Sequence, residues 1–355
     1  MRRLIVKIHL LIALIGGVFI VVLGLTGSVI AFEPELDRLL HSDISYVKPR
    51  GKSLSLAEIG GAVSRKYPGE PIVAYLPSQS SDFATEVILS RGIVAVNPYS
   101  GEILGLRTRG QSFLGFVRAL HIRLATGVLG RGIVKWSSVA LLFAMLSGLY
   151  LWWPRKVTRI RGRRWTTLFW WDLHNVIGAF SLIPLLALTA TGIVIGFENQ
   201  FGHLLDGLGG TSRIDPVRVN VIQQPAVRGH EITPDQALAV VSASFPAIAV
   251  RRVQMPEFGG IYRVSFAHRS RFNIGGGDSV AIDPYSAEIV AENLSRNSSL
   301  RERFLIVNGA IHTGSILGTT TKIVAAAACL TIPVQAMSGL LLWLRRRKRM
   351  SGARS

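Results

Sequence analysis

Eight histidines stand in this chain, and four of them fall into matched pairs. His174 lies in WWDLHNVIGAF (170–180), where a long apolar run begins, and His9 holds the same place in KIHLLIALIGG, 165 residues earlier. His121 in LHIRLATG and His312 in IHTGSILG are related by a second offset, 191 residues. His41, His203, His230 and His268 have no such counterparts. An ionisable side chain at membrane depth is costly, so it calls for a function. Paired imidazoles suit axial ligation of haem iron from opposite faces, a share in a zinc site, or proton relay. Zinc is the poorer match, because each pair offers two ligands and no carboxylate recurs beside both members. The bland alternative is a polar anchor at the membrane interface. That suits an isolated histidine better than four in two related pairs.

The elements that must position these residues are apolar. The chain has 355 residues, 49% hydrophobic and only 17% charged, below the usual charged share of a soluble protein. Runs near 9–32, 133–153, 174–197 and 323–344 are each long enough, at roughly 20 helical residues, to cross a bilayer. Lys and Arg number 40 against 21 acids, a net charge of +19. The excess sits in three short segments free of acids: Arg2, Arg3 and Lys7; Arg155 to Arg164; and Arg345 to Arg354. By the positive-inside rule, both termini and the middle connection face the cytoplasm. Each basic cluster abuts a span, which argues against a nucleic-acid binder. The first run is too long for a signal-peptide core and has no A-x-A-like site after it, so it is expected to stay in the membrane. A lone cysteine, Cys329, excludes internal disulfides, all-cysteine iron–sulfur sites and C-x-x-C-H haem attachment.

The same offsets extend beyond the histidines. Thr26–Gly27 maps to Thr191–Gly192, Phe32–Glu33 to Phe197–Glu198, and SGLYLW (147–152) to SGLLLW (338–343). Between the spans, AVNPYSGEI (95–103) echoes AIDPYSAEI (281–289). Each intervening segment reads as a helix followed by strands, with Ser55 and Thr233 as N-caps and NPYSG and DPYSA as turns. The expected fold is a four-helix membrane bundle with two small α+β outer domains, built as a tandem parallel repeat. The boundaries read as span one 1–32, outer domain 33–132, span two 133–153, basic loop 154–173, span three 174–197, outer domain 198–322, span four 323–344 and a basic tail 345–355. Thr26–Gly27 and Thr191–Gly192 read as packing positions, Glu33 and Glu198 as solvated interface charges, and Pro184 and Pro333 as kinks. Gly16, Gly17, Gly178, Gly127, Gly314 and Gly318 are small enough to admit a porphyrin near the ligands. The GGGD stretch (275–278) reads as a loop and not as a nucleotide site.

Four motifs carry a resemblance across nearly the whole chain: the DLH–G start of span three (Asp172, Leu173, His174, Gly178), LHIRLATGVLG (120–130), IHTGSILG, and the turns NPYSGEILG and DPYSAEIVA. Together they resemble the PepSY-associated transmembrane family, also called iron-regulated membrane proteins. Leu10 and Asn175 depart from the basic residue usual after the span histidines, and Ser315 from the acid usual after HTG. The resemblance implies an inner-membrane, multi-pass protein with both termini cytoplasmic and its outer domains periplasmic. It implies two non-covalent b-type haems with bis-histidine ligation, His9 with His174 and His121 with His312, in a conduit that reduces a ferric siderophore or similar chelate. Electrons would come from quinol or a cytoplasmic reductase; no further catalytic residue is assigned. Arg251, Arg252, Arg263, Arg269 and Arg271 are candidates for attracting an anionic chelate. The rival expectation is a PepSY membrane regulator or inhibitor of envelope proteases, which needs no metal. A transporter is a poorer match, because the spans hold almost no acids or amides.

Overall fold

The computed structural model describes residues 1–108, 112–209, 230–256, 260–268, 278–295 and 299–352. It divides into two compact units, one of Met1–Glu33, Phe113–His203 and Val307–Ser355, the other of Pro34–Ser112 and Leu204–Ile306.

The first unit is helical. Its long elements are α1 (Arg2–Ile30), α6 (Val128–Trp152), α7 (Thr167–Gly196) and α11 (Thr319–Gly352), and all four are long and apolar enough to cross a membrane. The shortest has 25 residues, about 37 Å at the helical rise, which exceeds a hydrocarbon core of about 30 Å. α1 and α7 each pack against both α6 and α11, around a small cluster of Ile20, Leu185, Ala328 and Ile332. Large side chains such as Val18, Phe180 and Ile183 stay exposed on the outside, as lipid-facing positions do in a chain whose backbone bonds are satisfied within each helix. The helices begin earlier than hydropathy alone indicates. Thr166 caps α7, accepting a hydrogen bond from the Phe169 amide. His174 therefore lies two turns inside its helix, as His9 does in α1. Two shorter helices deliver the other histidines: α5 (Phe113–Arg123), which packs on α1 and α6, and α10 (Leu300–His312), which ends on His312.

The second unit is a sheet covered by helices. The chain enters it through α2 (Glu33–Leu40) and α3 (Ser42–Ser45), and again through α8 (Glu198–Gly209). Helix α4 (Leu56–Lys66) precedes β1 (Ile72–Leu76), β2 (Thr85–Leu89), β3 (Gly92–Val96) and β4 (Ile103–Thr108). Helix α9 (Pro234–Ser244) precedes β5 (Ile248–Gln254), β6 (Tyr262–His268), β7 (Asp278–Ile282) and β8 (Ile289–Asn293). Where two outer domains are expected, the strands form one antiparallel sheet in the order β4-β3-β2-β1-β5-β6-β7-β8. The joint is β1 with β5, Tyr75 opposite Val253. It satisfies two strand edges that separate four-stranded sheets would leave open. Ile59 and Val63 of α4 and Val241 and Phe245 of α9 share one core with Val87, Val94, Val253, Val264 and Phe266. Both helices start with full capping boxes, at Ser55–Glu58 and Thr233–Gln236. Asp235 reaches across from α9 and accepts from the Leu56 and Ala57 amides, at 2.7 and 2.8 Å, so it caps α4 as well.

The two turns show where the second segment is strained. Gly69 and Gly101 have φ of +81° and +73°, and their counterparts in the second segment are alanines, Ala247 and Ala287, both at φ +60°. An L-residue there costs about 1 kcal/mol or more. Ala287→Gly is expected to raise stability by about 0.5–1 kcal/mol after the entropy of the added glycine is counted. Thermal unfolding of the variant beside its parent checks this.

Two phenols in the core give the unit a pH limit. Tyr75 and Tyr262 are buried. Burial, then neighbouring charge from groups that include Asp235, pushes both up to about 12. An unfolded tyrosine ionises near pH 10, so the unfolded state sheds protons first as pH rises. The stability these two provide is therefore whole below about pH 10 and is lost as pH rises through 12. Tyrosinate absorbance and sheet circular dichroism should change together in that window.

Candidate functional site: two facing histidine pairs

The helical unit brings the four histidines together two by two. The rings of His9 and His174 are 6.3 Å apart between centroids, with planes at 87°. Those of His121 and His312 are also 6.3 Å apart, with planes at 48°. The pairs lie towards opposite ends of the bundle. His121 packs on Thr26, 17 residues along α1 from His9, which is roughly 25 Å of helix.

Each ring is held through Nδ1 by a hydroxyl on another long helix. His9 meets Ser147 Oγ at 2.9 Å, His174 meets Ser338 Oγ at 3.0 Å, His121 meets Thr26 Oγ1 at 3.0 Å and His312 meets Thr191 Oγ1 at 3.1 Å. A hydroxyl has one hydrogen, and here it is already donated within the helix: Ser147 to Phe143 O, Ser338 to Gln335 O, Thr26 to Val22 O and Thr191 to Ala187 O. The oxygen is therefore left to accept, which assigns the Nδ1–H tautomer. At His121 and His312, Nδ1 also lies 3.2 and 3.1 Å from the Leu23 and Leu188 carbonyl oxygens, which can only accept. Every hydrogen bond of these rings among the described residues runs through Nδ1, so the Nε2 lone pair stays open. Burial, then the neighbouring His312, lowers His121 to about 4, and burial lowers His312. Both are thus neutral at physiological pH, the form that binds metal.

The residue after each hydroxyl is a glycine, and it gives the ring its place. A Cβ on Gly27 or Gly192 would fall 3.1 or 3.0 Å from the Cε1 of His121 or His312. On Gly148 or Gly339 it would fall 3.4 Å from that of His9 or His174. Sequence reasoning favoured packing over chemistry for Thr26–Gly27 and Thr191–Gly192 and gave Ser147 and Ser338 no role. The signal was present, because each long helix carries one hydroxyl–glycine dipeptide at a position matched by the offsets.

The His9–His174 pair opens into an apolar pocket between the long helices, bounded also by Gly17, Gly148, Gly178, Trp152 and Gln335. Its cavity volume is about 170 Å³, below the usual range for cofactor sites. Of the glycines expected to admit a porphyrin, Gly17 and Gly178 line this pocket. Gly16 lines a groove between α1 and α6 instead. Gly127, Gly314 and Gly318 serve the backbone, with φ near +70° beside helix ends. Among the described residues no three His, Cys, Asp or Glu side chains converge, so a shared ion needs its other ligands from elsewhere. The pairs fit haem iron on that count and on spacing. Two imidazoles bonded at about 2.0 Å on opposite sides of one ion have centroids roughly 6 Å apart.

Carboxylates hold the histidine-bearing helices. Asp172, two residues before His174, is 0% exposed and accepts from the Arg161 amide and Nη2, both at 2.8 Å, and from Arg161 Nε and the Gly162 amide at 3.3 Å. Glu33, expected to be solvated, pairs with Arg118 of α5 through two contacts, one of 3.1 Å. Of the arginines named for chelate attraction, Arg251 and Arg263 are exposed in the sheet unit, and Arg252 is partly buried with its Nε unpaired among the described residues. Arg269, Arg271 and residues 275–277 of the GGGD stretch lie outside the described residues.

Residues 6–346 match the family described as the PepSY-associated TM region. No curated protein matches the chain.

Proposed function

The chain belongs to the PepSY-associated TM family, and from that membership and the facing histidines we propose that it is a two-haem electron conduit of the bacterial cytoplasmic membrane that reduces a ferric chelate on the periplasmic side. The observation that carries this reading is the common geometry of the two pairs: equal 6.3 Å spacing, Nδ1 engaged and Nε2 open in all four rings. Haem iron bound there would supply one-electron redox chemistry. His9 and His174 would hold the inner haem, and His121 and His312 the outer. Their hydroxyl partners orient the rings, and the apolar pocket walls keep water away. The basic segments support a cytoplasmic side for both termini and the 154–166 connection. The substrate takes one electron as Fe(III) becomes Fe(II), and hard oxygen ligands then hold the metal less tightly. A ferric siderophore is the substrate class, and quinol or a cytoplasmic reductase the donor. The matched offsets and matched partners are those of a tandem duplication about an axis along the membrane normal.

The test is purification in detergent from cells with ample haem, followed by oxidised and dithionite-reduced spectra and haem quantitation. About two non-covalent, six-coordinate haems per chain are expected, with reoxidation of the reduced protein by a ferric chelate. One haem assigns one pair another task. None overturns the redox reading and favours a PepSY-type regulator of envelope proteases.

A further inference from the structure

A second site lies away from the histidines, where the 154–166 connection folds back on the ends of the long helices. Trp152 Nε1 donates to the Val157 carbonyl at 2.9 Å, and Arg161 is locked to Asp172. Gly162 passes so close to α7 that a Cβ there would fall 2.2 Å from the Phe169 amide nitrogen. These contacts hold open a pocket lined by Arg155, Val157, Arg161, Leu168, Trp171 and Leu342.

The charged groups of this pocket are both cationic, and the Thr167 hydroxyl also lines it. The Arg155 guanidinium lies 5.7 Å from the centroid of the Trp171 ring. Arg161 gives Nε and Nη2 to Asp172, yet its side chain is 58% exposed, so Nη1 remains for a ligand. No acid occurs between residues 154 and 171. Apart from Thr167 the rest of the wall is apolar, and Leu168 and Leu342 continue it onto α7 and α11, both of which are membrane-spanning by length and composition. Two guanidiniums beside an apolar wall at the ends of spanning helices match a ligand that carries a phosphodiester at one end and hydrocarbon at the other.

We propose that this pocket binds the headgroup of an anionic phospholipid, its phosphate between Arg155 and Arg161 and its acyl chains along α7 and α11. The lipid ties the connection to the bundle from the membrane side, as Asp172 does from within. This inference is independent of the haem reading.

The experiment is native mass spectrometry of the full-length protein in detergent, titrated with phosphatidylglycerol, with phosphatidylcholine and with inorganic phosphate as competitor. Phosphatidylglycerol should be retained in preference to phosphatidylcholine and should resist inorganic phosphate. Arg155→Gln should weaken retention about tenfold, the loss of one charge-assisted contact, with Arg155→Lys intermediate. Arg159→Gln removes the same charge outside the pocket lining and should leave retention unchanged. Equal losses for the Arg155 and Arg159 variants would reduce the effect to general attraction by a basic loop and overturn the site. Displacement by inorganic phosphate would make it a free-phosphate site, and absence of any headgroup preference would also sink the proposal.

Discussion

A His174→Ala variant is expected to carry half the haem of the parent protein and to lose ferric-chelate reduction by more than about 100-fold, beyond the range for an outer-shell partner. Two features make the effect large and specific. His9 and His174 stand on different long helices and face each other across 6.3 Å, and among the described residues no third His, Cys, Asp or Glu converges on the pair. Alanine keeps α7 helical, and the Asp172–Arg161 contacts that fix its start are not touched, so loss of haem would not reflect loss of fold. The companion variant His312→Ala should remove the other haem while the reduced spectrum of the inner site persists. Haem quantitation and reduced-minus-oxidised spectra of both variants read these outcomes directly. An unchanged haem content in His174→Ala would remove that residue from the ligand set. An equal loss of both haems in either variant would point to a disturbed bundle and assign neither pair.

The spans and the histidine pairs were legible because they rest on signals that a linear sequence carries: long apolar runs, and side chains that recur at a fixed offset. The caps of α4 and α9 were legible for a similar reason, since Ser55 and Thr233 act on amides only a few residues away. What stayed hidden depends on distant partners. The β1–β5 joint is made by backbone groups, which leave no mark in side-chain pattern, so one sheet reads as two domains. Asp172 reads as part of a motif, and its burial becomes intelligible only once Arg161 folds back to neutralise it. The hydroxyl–glycine dipeptides are the instructive case. A small residue beside a hydroxyl is a common packing device in membrane helices, and nothing in the local sequence distinguishes that from a hydrogen-bond acceptor aimed at an imidazole on another helix.

Those hydroxyls should differ in importance between the two pairs. At His174, Ser338 Oγ is the close acceptor of Nδ1 at 3.0 Å, the Gln335 carbonyl makes a weaker contact with the ring, and Ser338 is fully buried. Ser338→Ala therefore leaves the buried N–H with the weaker Gln335 carbonyl contact alone, loosens the ring and lowers the basicity of Nε2. The expected result is haem retention weakened by about 10–100-fold, the range for an outer-shell partner of a metal-binding histidine, with a rise in midpoint potential as the ferric form loses support. At His312, Thr191→Val removes the hydroxyl but leaves the Leu188 carbonyl 3.1 Å from Nδ1, so tautomer and ring plane persist and the loss should be several-fold smaller. The same contrast holds for Ser147→Ala against Thr26→Val, where Leu23 supplies the remaining carbonyl. Ring planes provide an independent readout. Nearly perpendicular imidazoles at the inner pair and planes at 48° at the outer pair split the iron d orbitals differently, so the oxidised protein should give two distinct low-spin electron-paramagnetic signals. Ser338→Ala should broaden or move the inner signal alone. If the serine and threonine variants lose haem equally, the carbonyls are not acting as second acceptors, and the hydroxyls serve only to seat the helices.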